Sequence, residues 1–450
     1  MENPTSRPID VAALEGHAGQ LIEQGRIEEA TQCLRRLCAR PDARPNAWFR
    51  LLMLLEMQGK VEEAAAALGE ARRRLPPNPG FTLMEAKILR RQEKIEQAIA
   101  VLEPAAKRVS GGSRIPFQYE LGQLYDRVNA CDKAFDCFLE ANRGAAESPP
   151  GRRHDNRQTS EALKRIRREF RPFGDVSADP ERAAPVFLIG FPRSGTTLLD
   201  QIISSCPSVR VAEERSVISN IGARLFQMAN PDADTPWFVH PDYPALLYRA
   251  KEEDLAAARR FFWREHGLQP EGILFTDKMP LNLMHAGIIR KVFPQAKFIL
   301  ALRHPCDVVL SCFMQEFHLN PFMARFLDLS DAAHFYDEAF SLWDHYTKIL
   351  DLDVHVIRYE DVVADFRPTA ASLLDFLGLE WTDAVLEFDK TARGKTRINT
   401  PSYRQVTQKI YTRSSGRWLR YRKHMESVLP ILEPWVLKHG YSMEPTGTED

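Results

Sequence analysis

The sequence predicts a multidomain chain, with an all-α superhelix of paired helices followed by an α/β domain built on a parallel sheet. Three observations predict it. A short motif recurs every 34 to 36 residues through the first third of the chain. From residue 185 onward, short apolar segments alternate with amphipathic helical patterns. A glycine-rich turn lies between the first of these segments and the helix that follows it.

The repeats occupy the first third of the chain. Their four copies share an alanine at the same place, at Ala30, Ala64, Ala98 and Ala134, with spacings of 34, 34 and 36 residues. A period of about 34 residues made of two helices is typical of tetratricopeptide repeats. We expect one superhelical stack over residues 10–146, because each helix pair buries its apolar face only against its neighbours. The open face of such a stack predicts a surface for a peptide or protein; the alternative is a structural platform for the next domain.

Residues 147–183 change character, because they are polar, arginine-rich and interrupted by prolines. We interpret them as a linker. The segment TSEALKRIRREF within it predicts one amphipathic helix. A solvated connecting helix is the simpler interpretation, and a basic patch for an acidic substrate is the alternative.

The second domain is expected over residues 184–445. The apolar segments PVFLIG, GILFTDK, KFILALR and VHVIRYE predict strands of a parallel sheet covered on both faces. Ligands bind such sheets beyond the carboxyl ends of the strands. Four polar clusters fall at those ends, and we expect them to form one site: Arg193–Thr197, Asp277–Lys278, Arg303–Ser311 and Arg358–Glu360.

The glycine-rich turn GFPRSGTT keeps the glycine spacing of a P-loop, with Gly190 and Gly195 five positions apart. Backbone amides and the start of a helix make an anion its natural occupant. Enzymes that use ATP or GTP carry a lysine where this chain has Thr196, and the cation here is Arg193. The turn therefore does not obviously accommodate a γ-phosphate or a metal ion.

Composition narrows the class of protein. The 60 lysines and arginines balance 61 aspartates and glutamates, so no global field favours nucleic acid. The seven cysteines form no Cys-x-x-Cys pair, which is typical of buried thiols in a reducing compartment. No apolar segment reaches the roughly 20 residues of a membrane span, and no His, Cys and carboxylate cluster has metal-ligand spacing. We expect a cytoplasmic protein without a membrane span, a bound metal or a nucleic-acid partner.

Two motifs carry a resemblance to a known family. FPRSGTTLL resembles the 5′-phosphosulfate-binding loop of sulfotransferases, whose donor is 3′-phosphoadenosine 5′-phosphosulfate. LRHPCDVVLS is similar to the element that holds the 3′-phosphate of that donor. The resemblance covers about residues 185–445 and is greatest to protein-tyrosine sulfotransferases and to bacterial proteins that join tetratricopeptide repeats to such a domain. It implies that the donor is bound by Arg193, Ser194, Gly195, Thr196, Thr197, Arg303 and Ser311.

The resemblance also implies the base of the reaction. VRVAEERSV is similar to a Glu-Glu element of the tyrosine-sulfating enzymes, and Glu214 matches their base, with Glu213 as its supporting partner. A positioned carboxylate can accept the proton of a phenol while the sulfonate is transferred. The alternative is that one of these glutamates merely pairs with Arg210 or Arg215. A histidine base, at His285 or His304, is a weaker alternative.

Four further residues are implied. Lys278 matches a lysine that contacts the bridging oxygen of the scissile bond, the alternative being a strand-end lysine in solvent. Ser402 matches a serine that helps hold the leaving phosphate. Lys409 is expected at the 3′-phosphate, although its spacing from Ser402 differs slightly from the family pattern. Tyr359 either touches the nucleotide or belongs to the core.

These observations predict in-line transfer of a sulfonate to a hydroxyl acceptor, a protein or peptide tyrosine bound with help from the repeats. The alternatives are a sulfotransferase for small-molecule or glycan hydroxyls, a P-loop kinase, and a non-catalytic interaction protein built on the repeats. Thr196 in place of lysine disfavours the kinase. The presence of the candidate base, cation and 3′-phosphate pair disfavours the non-catalytic alternative.

Overall fold

A computed structural model describes residues 11–174, 176–179, 182–267, 272–388 and 415–444. They divide into two compact units, one ending at Ser148 and the other beginning at Pro149. The predicted fold class is confirmed, since helix pairs come first and a parallel sheet with helices follows. Every helix in the described part of the chain is too short or too polar to cross a bilayer.

The first unit consists of four helix pairs within the described residues. They are Val11–Glu23 (α1) with Ile27–Cys38 (α2), Pro45–Met57 (α3) with Val61–Arg74 (α4), Pro79–Arg91 (α5) with Ile95–Ala106 (α6), and Ile115–Arg127 (α7) with Cys131–Glu147 (α8). The repeated alanines lie on the second helix of each pair and are fully buried. A methyl side chain at these positions lets neighbouring helices approach closely.

Close packing within the fourth pair depends on a glycine. Gly122 on α7 faces the ring of Phe138 on α8, and a Cβ atom at position 122 would lie 2.7 Å from that ring. Phe138 is itself fully buried. The ring of Phe138 therefore occupies the space that a side chain at position 122 would need.

Ion pairs connect successive repeats. Arg91 on α5 contacts Glu56 on α3 at 2.8 Å, and Arg90 contacts Glu120 on α7 at 2.6 Å. These side chains are largely buried, so removing one partner would leave an uncompensated charge. The pairs help to fix the register of the helix stack.

The second unit is organised around a five-stranded sheet in which all neighbours are parallel. Its strands are Val186–Gly190 (β1), Val209–Glu213 (β2), Leu274–Lys278 (β3), Lys297–Leu302 (β4) and Asp353–Arg358 (β5). Their order in the sheet is β2-β3-β1-β4-β5. The four predicted strands are present, and β2 is an additional edge strand. The central strand β1 is buried at every residue.

Helices surround this sheet. Those described are Asn156–Glu169 (α9), Thr196–Ser204 (α10), Val217–Ala229 (α11), Ala245–Arg249 (α12), Glu252–His266 (α13), Ala286–Val292 (α14), Pro305–Phe313 (α15), Leu329–Ile349 (α16), Tyr359–Ala364 (α17), Phe366–Phe376 (α18), Arg422–Met425 (α19) and Leu429–Lys438 (α20). Aromatic side chains fill much of the core between sheet and helices. The ring of Phe187 on β1, for example, packs within 6.1 Å of those of Phe262, Phe293 and Phe298.

Helix α9, from the segment interpreted as a linker, belongs to the second unit and packs against α16. Its apolar face is buried at Leu163 and Ile166. Asn156 and Ser160 donate hydrogen bonds to carboxylates of α16. Just beyond the helix, the ring of Phe170 meets that of Tyr346 edge-on at 4.9 Å. The helix is therefore not a solvated connector, because its apolar face is matched by a partner in the core.

The contact between Gly122 and Phe138 generates a prediction about stability. We expect Gly122→Ala to lower the free energy of unfolding by about 1–3 kcal/mol, because the new methyl group overpacks the helix pair. Denaturant unfolding of the full chain measures the change.

The matched control is Gly69→Ala on α4, where the nearest atom to the new Cβ would be 3.9 Å away. This variant should gain roughly 0.5–1 kcal/mol from helix propensity. Equal stabilisation of both variants would contradict the packing argument.

Candidate functional site

Each strand of the sheet is followed, or ended, by a candidate residue. The glycine-rich turn 190–195 follows β1, Glu214 follows β2, and Lys278 ends β3. Arg303 follows β4 and Tyr359 follows β5. Because all five strands are parallel, these positions lie along one edge of the sheet.

The glycine-rich turn fits its surroundings only with glycine at both ends. A Cβ atom at Gly190 would lie 2.6 Å from the carbonyl oxygen of Ala301 on the neighbouring strand β4. Gly195 has a left-handed backbone, with φ of +97°, and a Cβ atom there would lie 3.0 Å from Tyr359. The turn is thus pressed between β4 and the start of α17.

A buried aromatic cluster anchors the turn to helix α16. Phe191 is fully buried, and its ring packs against those of Phe335, Tyr336 and Phe340 on α16 at 5.2, 5.0 and 6.4 Å. The backbone of the turn is therefore fixed to the core rather than only to its flanking elements.

Arg193 joins the turn to the second predicted element. Its Nε donates to the hydroxyl of Ser311 at 3.1 Å, and its carbonyl accepts from Nη1 of Arg303 at 3.2 Å. The guanidinium of Arg303 lies over the ring of Tyr359 at 5.2 Å. The structure therefore brings together four candidate residues from three different strand ends.

The start of helix α10 supplies the features of an anion site. Thr196 and Thr197 form its first turn and are buried beneath Gly195. The hydroxyl of Ser194 is buried and finds no hydrogen-bond partner within the described residues. An unpaired buried hydroxyl costs about 1–3 kcal/mol. The positive end of α10 together with this hydroxyl fits a phosphate or sulfate group.

Glu214 and Lys278 form a pair at the neighbouring strand ends. Nζ of Lys278 donates to Oε1 of Glu214 at 2.9 Å, and the Glu214 N–H donates to the Lys278 carbonyl at 2.7 Å. The lysine side chain is fully buried, while that of the glutamate is 29 % exposed. Arg215, an alternative partner for a glutamate, instead donates to the carbonyl of Glu265. The carboxylate is thus partly open to solvent, whereas the ammonium is enclosed.

The backbone is strained at two of these candidates. Arg193 has φ of +72° and Glu214 has φ of +46°, and only two other described non-glycine residues have positive φ. Such conformations cost of order 1–3 kcal/mol each and persist where the surrounding structure holds them. Both halves of the candidate site thus contain one such residue.

A polar cluster surrounds Asp277, the residue that precedes Lys278 on β3. Asp277 is buried, and its carboxylate lies 3.1 Å from Nε2 of His266 and accepts from the amide of Asn282 at 3.1 Å. Burial raises the pKa of the Asp277 carboxyl. His266 and Asn282 were not predicted from the sequence. Asn282 ends the segment FTDKMPLN that contains Lys278, but only the Asp-Lys pair at the strand end points to this place, and His266 lies in no motif.

The two histidines considered as alternative bases occupy structural positions. In His304, Nδ1 accepts from the backbone N–H of Cys306 at 3.2 Å, and Nε2 lies 3.0 Å from the carbonyl oxygen of Ser442. His285 packs against Trp237, and burial lowers its pKa to about 4. Neither ring has the contacts of a base at the Glu214 site.

Two candidates cannot be placed. Ser402 and Lys409 lie outside the described residues. Within the described ranges, no group of three His, Cys, Asp or Glu side chains is arranged to hold a metal ion.

Two family models match separate parts of the chain. Residues 185–383 match the family model described as "Sulfotransferase family", and residues 18–79 match the model described as "Tetratricopeptide repeat". The first match contains both motifs of the candidate donor site as well as Glu214 and Lys278.

Individual relatives are distant. An uncharacterized protein of Aquifex aeolicus is 28% identical over 323 residues, which are 70% of this chain but 41% of that protein. Protein-tyrosine sulfotransferase 1 of Danio rerio is 26% identical over 275 residues, covering 57% of this chain and 72% of that protein. Among solved structures, the sulfotransferase domain of the Synechococcus PCC 7002 olefin synthase is 19% identical, with a TM-score of 0.39; the match covers 60% of this chain and all of that domain.

The burial of His285 generates a prediction about pH. Because its pKa is about 4 in the folded chain and near 6.5 when unfolded, the unfolded chain takes up the proton first. Stability from this group is complete above pH 6.5 and is lost as the pH falls towards 4, by up to about 3 kcal/mol. Denaturant unfolding between pH 8 and pH 4 measures this loss.

In His285→Gln the corresponding part of the loss should disappear. The measurement at pH 8, where the histidine is neutral in both states, gives the cost of the altered contacts alone. An unchanged difference between pH 8 and pH 4 would show that His285 is not the titrating group.

Proposed function

We propose that this protein, which joins tetratricopeptide repeats to a sulfotransferase-family domain, transfers a sulfonate group from 3′-phosphoadenosine 5′-phosphosulfate to an acceptor hydroxyl. One observation carries the proposal. The turn after β1 and the Arg303–Ser311 element, more than 100 positions apart in sequence, meet through Arg193 at the same edge of the sheet as the Glu214–Lys278 pair. An anion site and an acid–base pair therefore share one edge.

The donor is expected to lie along the ends of β1, β4 and β5. The turn, with the orphaned hydroxyl of Ser194 and the start of α10, would hold the 5′-phosphosulfate. Arg303 and Ser311 would hold the 3′-phosphate, and Tyr359, beneath the Arg303 guanidinium, would contact the nucleoside. Ser402 and Lys409 stay predictions for the leaving phosphate and the 3′-phosphate.

The reaction would proceed by in-line displacement at sulfur. The carboxylate of Glu214 accepts the proton of the acceptor hydroxyl while the new bond forms between acceptor oxygen and sulfur. The bond between sulfur and the bridging oxygen breaks, and its electron pair stays on the phosphate of adenosine 3′,5′-bisphosphate. An ammonium has three N–H donors, so Lys278 can keep its bond to Glu214 and donate another to this departing oxygen.

The acceptor is proposed to be a tyrosine of a protein or peptide. Two features support this choice over a small-molecule or glycan hydroxyl: relatives in Danio rerio, Drosophila melanogaster and Gallus gallus are protein-tyrosine sulfotransferases, and the repeats offer a surface for a polypeptide. The proposal includes a cytoplasmic location, which agrees with seven free cysteines.

Calorimetric titration tests the donor. We expect adenosine 3′,5′-bisphosphate to bind and ATP to bind far more weakly, because Thr196 stands in place of the lysine that nucleotide-hydrolysing P-loops use. Tight binding of ATP with magnesium and no binding of the bisphosphate would favour the kinase alternative. Transfer of radiolabelled sulfonate into proteins of a cell lysate then tests the acceptor class.

Substitution of the acid–base pair tests the mechanism. In Glu214→Gln the turnover number should fall about 10²–10⁴-fold, because the acceptor proton loses its base. In Lys278→Met it should fall about 10²–10³-fold, because charge on the leaving phosphate is no longer stabilised. Steady-state transfer assays measure both.

Both variants should keep their affinity for adenosine 3′,5′-bisphosphate, which separates chemistry from binding. Glu253→Gln, at an exposed glutamate of the same unit, is the matched control and should transfer normally. Turnover that survives both Glu214→Gln and Lys278→Met would refute the mechanism even if the donor is right.

A further inference from the structure

A buried carboxylate lies one helical turn beyond Arg303. Asp307, in the first turn of α15, is 1 % exposed. Its Oδ2 accepts from the N–H of Gly416 at 2.8 Å, and its Oδ1 accepts from the N–H of Trp418 at 2.8 Å. The same Oδ2 lies 3.9 Å from Nη2 of Arg303. A buried charge is retained at low cost only where it is hydrogen-bonded and paired, as it is here.

The guanidinium of Arg303 is therefore held on three sides. Nη1 donates to the Arg193 carbonyl at 3.2 Å, the plane lies 5.2 Å from the ring of Tyr359, and Asp307 faces Nη2. Asp307 is itself fixed by two backbone amides, so it cannot follow the guanidinium if that group moves. The carboxylate is therefore a fixed negative charge beside Nη2 of Arg303.

The C-terminal segment 415–444 also fixes the neighbours of Arg303 and Tyr359. The ring of His304 stacks on that of Trp418, with centroids 5.1 Å apart. The carboxylate of Glu360 accepts from the His304 N–H at 3.1 Å and from the hydroxyl of Tyr441 at 2.7 Å. Segment 415–444 thus braces the ends of both β4 and β5.

We propose that Asp307 is a positioning residue, which connects segment 415–444 to Arg303 and orients that guanidinium for the 3′-phosphate of the donor. The proposal rests on the proposed function, because it assumes that Arg303 binds this phosphate. Asp307 does not itself touch the nucleotide. Both of its oxygens accept hydrogen bonds from the backbone, one from Gly416 and one from Trp418. At 3.9 Å from Nη2, the carboxylate therefore acts on the Arg303 guanidinium through its charge rather than through a direct hydrogen bond.

The test compares two ligands that differ only in the 3′-phosphate. Asp307→Asn keeps the shape of the side chain but loses the charge and one of the two acceptor oxygens. We expect its affinity for adenosine 3′,5′-bisphosphate to fall about tenfold, as for other losses of a supporting contact. Its affinity for adenosine 5′-phosphate should change less than about twofold, since that ligand makes no use of Arg303. Calorimetric titration of the full chain measures both.

Three further variants sharpen the result. Asp307→Glu keeps the charge but displaces the carboxylate by one methylene group, and it should show the same selective loss. In Arg303→Met the preference for the bisphosphate should fall at least as far as in Asp307→Asn, and adding Asp307→Asn should cause no further loss, because both changes act through one group. Asp337→Asn is the matched control: Asp337 accepts from Trp435 at 2.9 Å and ties segment 415–444 to α16 without contacting Arg303. It should leave both affinities unchanged.

Other outcomes would overturn the proposal. Equal weakening of both ligands by Asp307→Asn would indicate general support of the fold. Tighter binding of the bisphosphate would identify Asp307 as a competitor of the phosphate, and unchanged affinities for both ligands would show that Asp307 does not act on the site. A wild-type protein that binds neither ligand would refute the proposed function and, with it, this inference.

Discussion

The candidate site depends on one constraint, which is the parallel hydrogen-bonded register of the five strands. Glu213 on β2 is paired with Lys278 on β3, and Gly190 on β1 with Ala301 on β4. Because the strands run in the same direction, their carboxyl ends coincide, and residues far apart in sequence are delivered to one edge. Each helix between strands can vary in length without moving these ends relative to one another. The positions of the candidate site residues therefore do not depend on the lengths of the segments that connect the strands.

The architecture could be predicted from the sequence where apolar residues form a regular pattern. The repeat period and four of the strands are legible because their apolar residues are continuous or strictly spaced. Strand β2 was not predicted: it lies at one edge of the sheet, and none of its residues is fully buried. Strand β5 lies at the other edge and is buried only at Ile357, but its segment VHVIRYE was recognised from its apolar residues. The amphipathic pattern of α9 could be recognised in the sequence, but the helix against which it packs, α16, could not. Asn156 meets Asp331 across 175 positions, and no local pattern encodes such a contact.

The residues of the candidate site could be predicted from motifs, but the contacts between them could not. Motif order and strand ends identify Arg193, Arg303 and Lys278. The bond between Lys278 and Glu214 spans 64 positions, and the contacts of Asp307 with Gly416 and Trp418 span 109 and 111. A sequence shows a buried aspartate only as one acidic residue in an apolar helix. Its role follows from backbone amides that arrive from the far end of the chain.

The left-handed backbone at Glu214 limits what could replace this residue. Glycine or asparagine would adopt the conformation with less steric repulsion. Either substitution would also leave the fully buried ammonium of Lys278 without its carboxylate partner, which costs more free energy than the backbone strain that it relieves. An unfavourable backbone conformation at this position is therefore compatible with a stable fold, because it keeps the charge of the lysine balanced.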